Sequence, residues 1–349
     1  MKMGDPKRIL LLFSKLALLT LPLLLLTLLY VICDPFKVIK TDIDFENYYD
    51  HQPYELNREF MSTELFLKNY PKYHYNSFIL GSCESFVYRA DSWKKYIDVD
   101  QGEVFHFPAA SESLYGMYLK IKYLDKTNIP IKNCLMIMDI STFKDIQPKH
   151  DYLHTNHPAM SGESSTDFQL GMFKSFFSNF FCLQYAYYKF SGKVHSSMKG
   201  NFGIAPGQIR TTTLNNEYYY EKYDVALKSD SIAFYEKNLK QYYYRDTSTK
   251  RHLQQTLFQE RHYEILNELR DIFAKHNTHF KIVLSPMYDQ MYFNPADIDS
   301  LKSIFGEQNL HDYSGINRFT ENISYYYDNF HYKPMVANEI LEEIYNESN

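Results

Sequence analysis

Residues 78–89 read FILGSCESFVYR, and the fold is decided here. The apolar run 76–80 (NSFIL) stops at Gly81, and a short polar turn, Ser82-Cys83-Glu84-Ser85, follows. A short apolar run ended by glycine reads as a buried strand entering a tight turn. Similar runs recur at 104–107 (VFHF), 134–139 (CLMIMD) and 280–285 (FKIVLS, ended by Pro286), with a weaker one at 309–313 (NLHDY). Between them lie helical patterns at 113–123 and 253–273. In the second, Leu253, Leu257, Tyr263, Leu266, Leu269, Ile272 and Phe273 fall mostly at three- and four-residue steps, one apolar stripe. Strands alternating with helices predict an α/β domain with a parallel sheet covered on both faces.

Residues 145–250 break that rhythm. They carry His150, His154 and His157, the glycine-containing stretch 203–207 and tyrosine clusters at 218–220 and 242–244. So long a stretch is not a bare loop, and a mainly helical insertion is expected at about 145–250. The histidines, bracketed by Pro148 and Pro158, read as loop residues rather than a metal site, so no metal and no cofactor are expected.

Residues 9–32 form the only long apolar run. At 1.5 Å per residue they make roughly 36 Å of helix, enough for a bilayer core of about 30 Å. Lys2, Lys7, Arg8 and Lys15 lie before or early in it, which places the N-terminus in the cytoplasm and the remainder outside. No small-x-small cleavage site follows, so the run reads as an uncleaved anchor. The expected organisation is a cytoplasmic tail (1–8), an anchor (9–32), a stalk and lead-in segment (33–70) and an exported domain (71–349). The 349-residue chain has 37 Lys+Arg against 42 Asp+Glu, a net charge of −5, which argues against a nucleic-acid partner. Its four cysteines show neither zinc spacing nor a disulfide framework. With 33 Tyr and 26 Phe against one Trp, the aromatic content reads as half-buried tyrosine packing rather than sugar platforms.

Two segments can carry chemistry. A nucleophile in the turn after Gly81 would sit where a backbone N–H and a helix N-terminus favour negative charge, and that field would lower a thiol pKa. Near the C-terminus, residues 325–334 (YYYDNFHYKP) place Asp328 three residues before His331. An aspartate so placed can fix the imidazole tautomer of a general base. Loops from strand carboxyl ends converge in an open α/β sheet, so the sequence distance between the two segments is no obstacle.

These two segments resemble the first and last motif blocks of SGNH/GDSL-type hydrolases. The closer resemblance is to membrane-anchored relatives that acylate cell-envelope polymers: the alginate and peptidoglycan acetylation proteins and the teichoic-acid D-alanylation protein. It spans roughly residues 75–345 without the insertion. It implies a flavodoxin-like three-layer domain with strand order 2-1-3-4-5, His331 as base, Asp328 as its orienter and a nucleophile two residues after Gly81. That position holds Cys83 where the family has serine. Three accounts stay open: a working Cys83 thiol, a shifted hydroxyl from Ser82 or Ser85, or a degenerate site on a binding fold. The oxyanion glycine has no counterpart in residues 108–113, where a backbone N–H of Ala110 or Ser111 would have to serve. Asp139 stands where an asparagine is expected, and either meets a sugar hydroxyl or caps a turn. The resemblance implies transfer of an acyl group, acetyl first, to an exported envelope polysaccharide, with a multi-pass membrane acyltransferase as partner. The alternatives are a non-catalytic polysaccharide-binding or assembly protein and, third, an esterase.

Overall fold

A computed structural model describes residues 6–40, 43, 45, 53–198, 210–238, 242 and 253–346. Lys2, the stretch 203–207, Tyr243 and Tyr244 lie outside the described residues. The chain opens with helix α1 (Pro6–Cys33), long and apolar enough to cross a membrane, and bare of protein over most of its length. Helix α2 (Arg58–Tyr73) follows, started by Asn57, whose side chain accepts the Phe60 N–H.

The sheet is built from β1 (Tyr75–Gly81), β2 (Glu103–Pro108) and β3 (Asn133–Met138). Between β1 and β2 lie a five-residue 3-10 turn (Cys83–Val87) and the short helix α3 (Ala90–Trp93). Helix α4 (Leu114–Lys126) joins β2 to β3, capped by the Ser113 hydroxyl on the Gly116 N–H. Residues between β3 and the next sheet strand form α5 (Pro158–Ser161), α6 (Ser165–Phe177), α7 (Phe181–Ser191), a hairpin of β4 (Arg210–Thr211) with β5 (Tyr218–Tyr219), α8 (Glu221–Ser229) and α9 (Ser231–Asn238). Then come α10 (Glu260–His276), β6 (His279–Leu284), α11 (Pro295–Phe305), β7 (Leu310–Asp312) and α12 (Pro334–Asn346).

The five sheet strands lie in the order β2-β1-β3-β6-β7, all parallel. Strand side chains alternate between two cores. Phe78, Leu80, Cys134, Met136 and Ile282 face one, shared with α2, α4 and α10. Ile79, Leu135, Ile137 and Val283 face the other, shared with Trp93 and the Val336, Ile340 and Ile344 stripe of α12.

Two expected boundaries move. The helix expected over 253–273 begins only at Glu260. The Asp297 carboxylate takes the hydroxyl of Thr256 and the N–H groups of Leu257 and Phe258, which holds that segment extended. The described residues of the stalk expected at 33–70 pack into the domain. Phe36, Tyr54 and Leu56 are buried, and the Asp34 carboxylate collects the N–H groups of Val38, Ile39 and Lys40 at 2.9–3.1 Å. Phe36 stacks on Tyr152 at 4.5 Å and lies 5.1 Å from Phe181, so the insertion covers this segment. The insertion also grips α1: the Tyr30 ring lies 5.4 Å from Phe173 and 5.1 Å from Phe176.

Candidate active site at the carboxyl ends of the strands

Strands β1 and β3 end side by side at Gly81 and Ile137, where the connections depart in opposite directions across the sheet. Open α/β sheets place their ligand clefts at such a point. Gly81 is required there. A Cβ would lie 2.6 Å from Ser85 Cβ and 2.9 Å from the Ile137 carbonyl oxygen. The turn after it therefore packs directly against β3.

A cleft of about 450 Å³ opens above this point. Its walls include Ser82, Cys83, Glu84, Ser111, Asp139 and His331. Loops after β1, β2 and β3 and the turn before α12 thus meet, as the sequence argument required. Among the described residues, no backbone acceptor takes the Cys83 or the Ser111 N–H, and both residues line the cleft. Ser111 has φ 45°. Ala110 lines a separate small cavity behind that loop and not the cleft.

Asp328 and His331 form a closed turn. Asp328 Oδ1 accepts the N–H groups of Phe330 at 2.8 Å and His331 at 2.9 Å, and Oδ2 accepts from His331 Nδ1 at 2.8 Å. Burial pushes the Asp328 carboxyl up, but the His331 ring and the two N–H donors outweigh it, and the net shift is down. A carboxylate only accepts, so Nδ1 carries the ring proton and Nε2 is left as the basic atom. The Tyr220 ring, from the insertion, packs 5.5 Å from the imidazole.

Cys83 behaves differently from expectation. Its thiol is pushed up, not down. Burial is the leading cause, only partly opposed by the Ser82 hydroxyl, Arg58 and Glu84. The turn it starts is a five-residue 3-10 segment, too short for a strong helix field. The thiol accepts a long contact from Ser82 Oγ at 3.7 Å and donates to Glu84 Oε1 at 3.4 Å. No hydrogen bond joins it to His331 among the described residues; the two groups share the cleft without touching. Glu84 was not singled out from sequence. Burial, with Cys83 and Asp139 adding to it, raises its carboxyl well above the usual range.

Ser85 is fully buried and outside the cleft. Its hydroxyl donates to the Ser82 carbonyl at 2.6 Å and accepts from His106 Nε2 at 2.8 Å. Asp139 caps the turn after β3: its Oδ1 takes the Ser141 hydroxyl and the Thr142 N–H and hydroxyl at 2.7–3.1 Å. Of the loop histidines, His154 pairs with Asp151 and His157 with Glu64, each at 2.8 Å. All four cysteines are free thiols.

His106, buried under this turn on β2, is expected to make the protein acid-sensitive. Burial, with Arg89 and Lys120 adding to it, lowers its pKa to about 3. The unfolded ring takes a proton near the ordinary value of about 6.5, so stability is full above that pH and declines as pH falls toward 3. Thermal unfolding in detergent should show a loss of up to about 1.4 kcal/mol per pH unit from this group in that window. His106→Asn should flatten the slope between pH 6 and 4. An unchanged slope would remove His106 as its source.

No protein-family model matches the chain, and no curated protein matches it in sequence.

Proposed function

We propose that the exported domain is an acyltransferase that passes an acyl group, acetyl first, through Cys83 to an envelope polysaccharide. The observation that carries it is the closed Asp328–His331 turn, which leaves Nε2 basic in the same cleft as the Cys83 thiol. His331 would take the thiol proton as the acyl donor arrives. The sulfur would attack the acyl carbon, the Cys83 and Ser111 N–H groups would hold the oxyanion, and its collapse would break the bond to the donor's carrier, which would leave with the proton from Nε2 and free Nε2 to act as base again. The thioester would then pass its acyl group to a sugar hydroxyl, with Nε2 taking the hydroxyl proton and returning it to sulfur. The resemblance to SGNH-type envelope acylation proteins supports the polymer acceptor and a multi-pass acyltransferase as donor. The membrane-length helix supports work beside such a partner. The test is intact-mass analysis of the full chain after incubation with a chemical acetyl donor. A single acetyl adduct should form and map to Cys83. A chain that acquires none there under conditions that acetylate free cysteine would sink the reading.

One observation favours a second reading, a non-catalytic binding protein on the same fold. The thiol is held protonated by burial, and it hydrogen-bonds to Glu84 rather than to His331.

Lys7 and Lys15 at the start of α1 support an exported bulk with a cytoplasmic N-terminus. Alkaline phosphatase fused after Asn349 should be active. A stable but silent fusion would reverse the orientation.

A further inference from the structure

The anchor does not leave the membrane alone. Leu26, Leu29, Tyr30 and Cys33, on its last two turns, pack into the domain core, while the turns before them stand exposed. These residues lie inside the membrane-length stretch Leu10–Cys33. What packs on them is the α6–α7 hairpin, through Phe173, Phe176 and Tyr185.

Helix α7 has two apolar stripes. Phe181, Cys182 and Tyr185 are buried. Leu183, Tyr187 and Phe190 recur at steps of four and three and are exposed, Phe190 by 84%, and Phe180, in left-handed backbone just before the helix, is exposed by 73%. A helix in water gains nothing from a second apolar stripe. Lys174, Lys189 and Lys193 are exposed on the same hairpin and its exit. Aromatic residues flanked by lysines are the composition of a helix lying in a bilayer interface.

We infer that the outer stripe of α7 is seated in the headgroup region of the bilayer that α1 crosses, with anionic lipid its favoured neighbour. With the span in a membrane, helices packed on its last two turns sit at interfacial depth. The exposed rings then meet acyl chains and the lysines meet phosphates. This inference stands apart from the proposed acyl chemistry and needs only that α1 spans.

The test uses the full chain reconstituted in phosphatidylcholine–phosphatidylglycerol vesicles, with lipids brominated along the acyl chain as quencher. The single native Trp93 is buried in the core and supplies the unquenched baseline. Phe190→Trp should add blue-shifted emission that brominated lipid quenches by at least about half. Replacing phosphatidylglycerol with phosphatidylcholine should reduce the quenching. Resistance to alkaline extraction confirms separately that α1 is inserted. Water-like, unquenched emission from an inserted chain would overturn the inference. So would shielding that appears only when a membrane protein partner is added, since the stripe would then be a protein interface.

Discussion

Cys83→Ala is expected to abolish polymer acylation, with a loss on the order of 10⁴ or more, as removal of a nucleophile from a concerted site does. Cys83→Ser should keep a fraction, since it returns a hydroxyl to the same turn. Asp328→Asn should cost about 10⁴ by turning the His331 ring to the wrong tautomer. Both Cys83 variants should unfold within about 1 kcal/mol of the parent, because the side chain is small and stands at a cleft wall. Acylation of an envelope polymer by purified, equally expressed variants is the measurement. Normal activity in Cys83→Ala with loss in Ser82→Ala would move the nucleophile to Ser82, which, unlike Ser85, lines the cleft. Ser85 cannot take that role without breaking its bonds to the Ser82 carbonyl and His106. Activity unchanged in every variant would mark the cleft as a binding site.

Lys120→Met should be the most damaging change to stability. Lys120 is fully buried and bonds Glu112, and the Phe107 carbonyl at 3.1 Å. Glu59 shares this interior, its carboxyl raised by burial against the pull of Lys120 and His157. Removing the cation strands a buried carboxylate and should cost about 3–5 kcal/mol. At this size that is roughly a 10 °C fall in Tm. Adding Glu112→Gln should recover part of the loss, since the amide oxygen can keep the Ser113 N–H that Glu112 Oε1 accepts at 3.2 Å. A single variant within about 1 kcal/mol of the parent would show that the pair adds little.

The five sheet strands were legible because each is a short apolar run ended by a turn signal, and because residues 78–89 show strand, glycine and turn in one view. The Asp328–His331 pair was legible because both partners sit on one turn. Lys120 was not. In the sequence it is one lysine among several on α4, and nothing local separates a buried cation from a solvated one. Glu84 and Tyr220 were missed for the same reason: their position in the cleft comes from chain segments far apart in sequence. The sense of the Cys83 shift failed because the sequence could not show how deeply the thiol is buried, nor that only five residues of 3-10 turn follow it. The start of α10 failed because the side chain holding 256–258 extended, Asp297, lies beyond β6. The insertion was seen as helical, but its partner, the last two turns of the anchor, could not be foreseen from either segment alone.

That grip on Tyr30 has a consequence for reach. A catalytic head on a slack tether sweeps a hemisphere and meets acceptors at many heights. If α1 spans a bilayer, the domain is keyed to it through Tyr30, and the mouth of the cleft would be held at one altitude and one bearing relative to the lipid. Only polymer passing through that fixed window would be served. Cutting the chain after Cys33 would do more than release the domain: it would uncover Phe173 and Phe176 and leave a new apolar face.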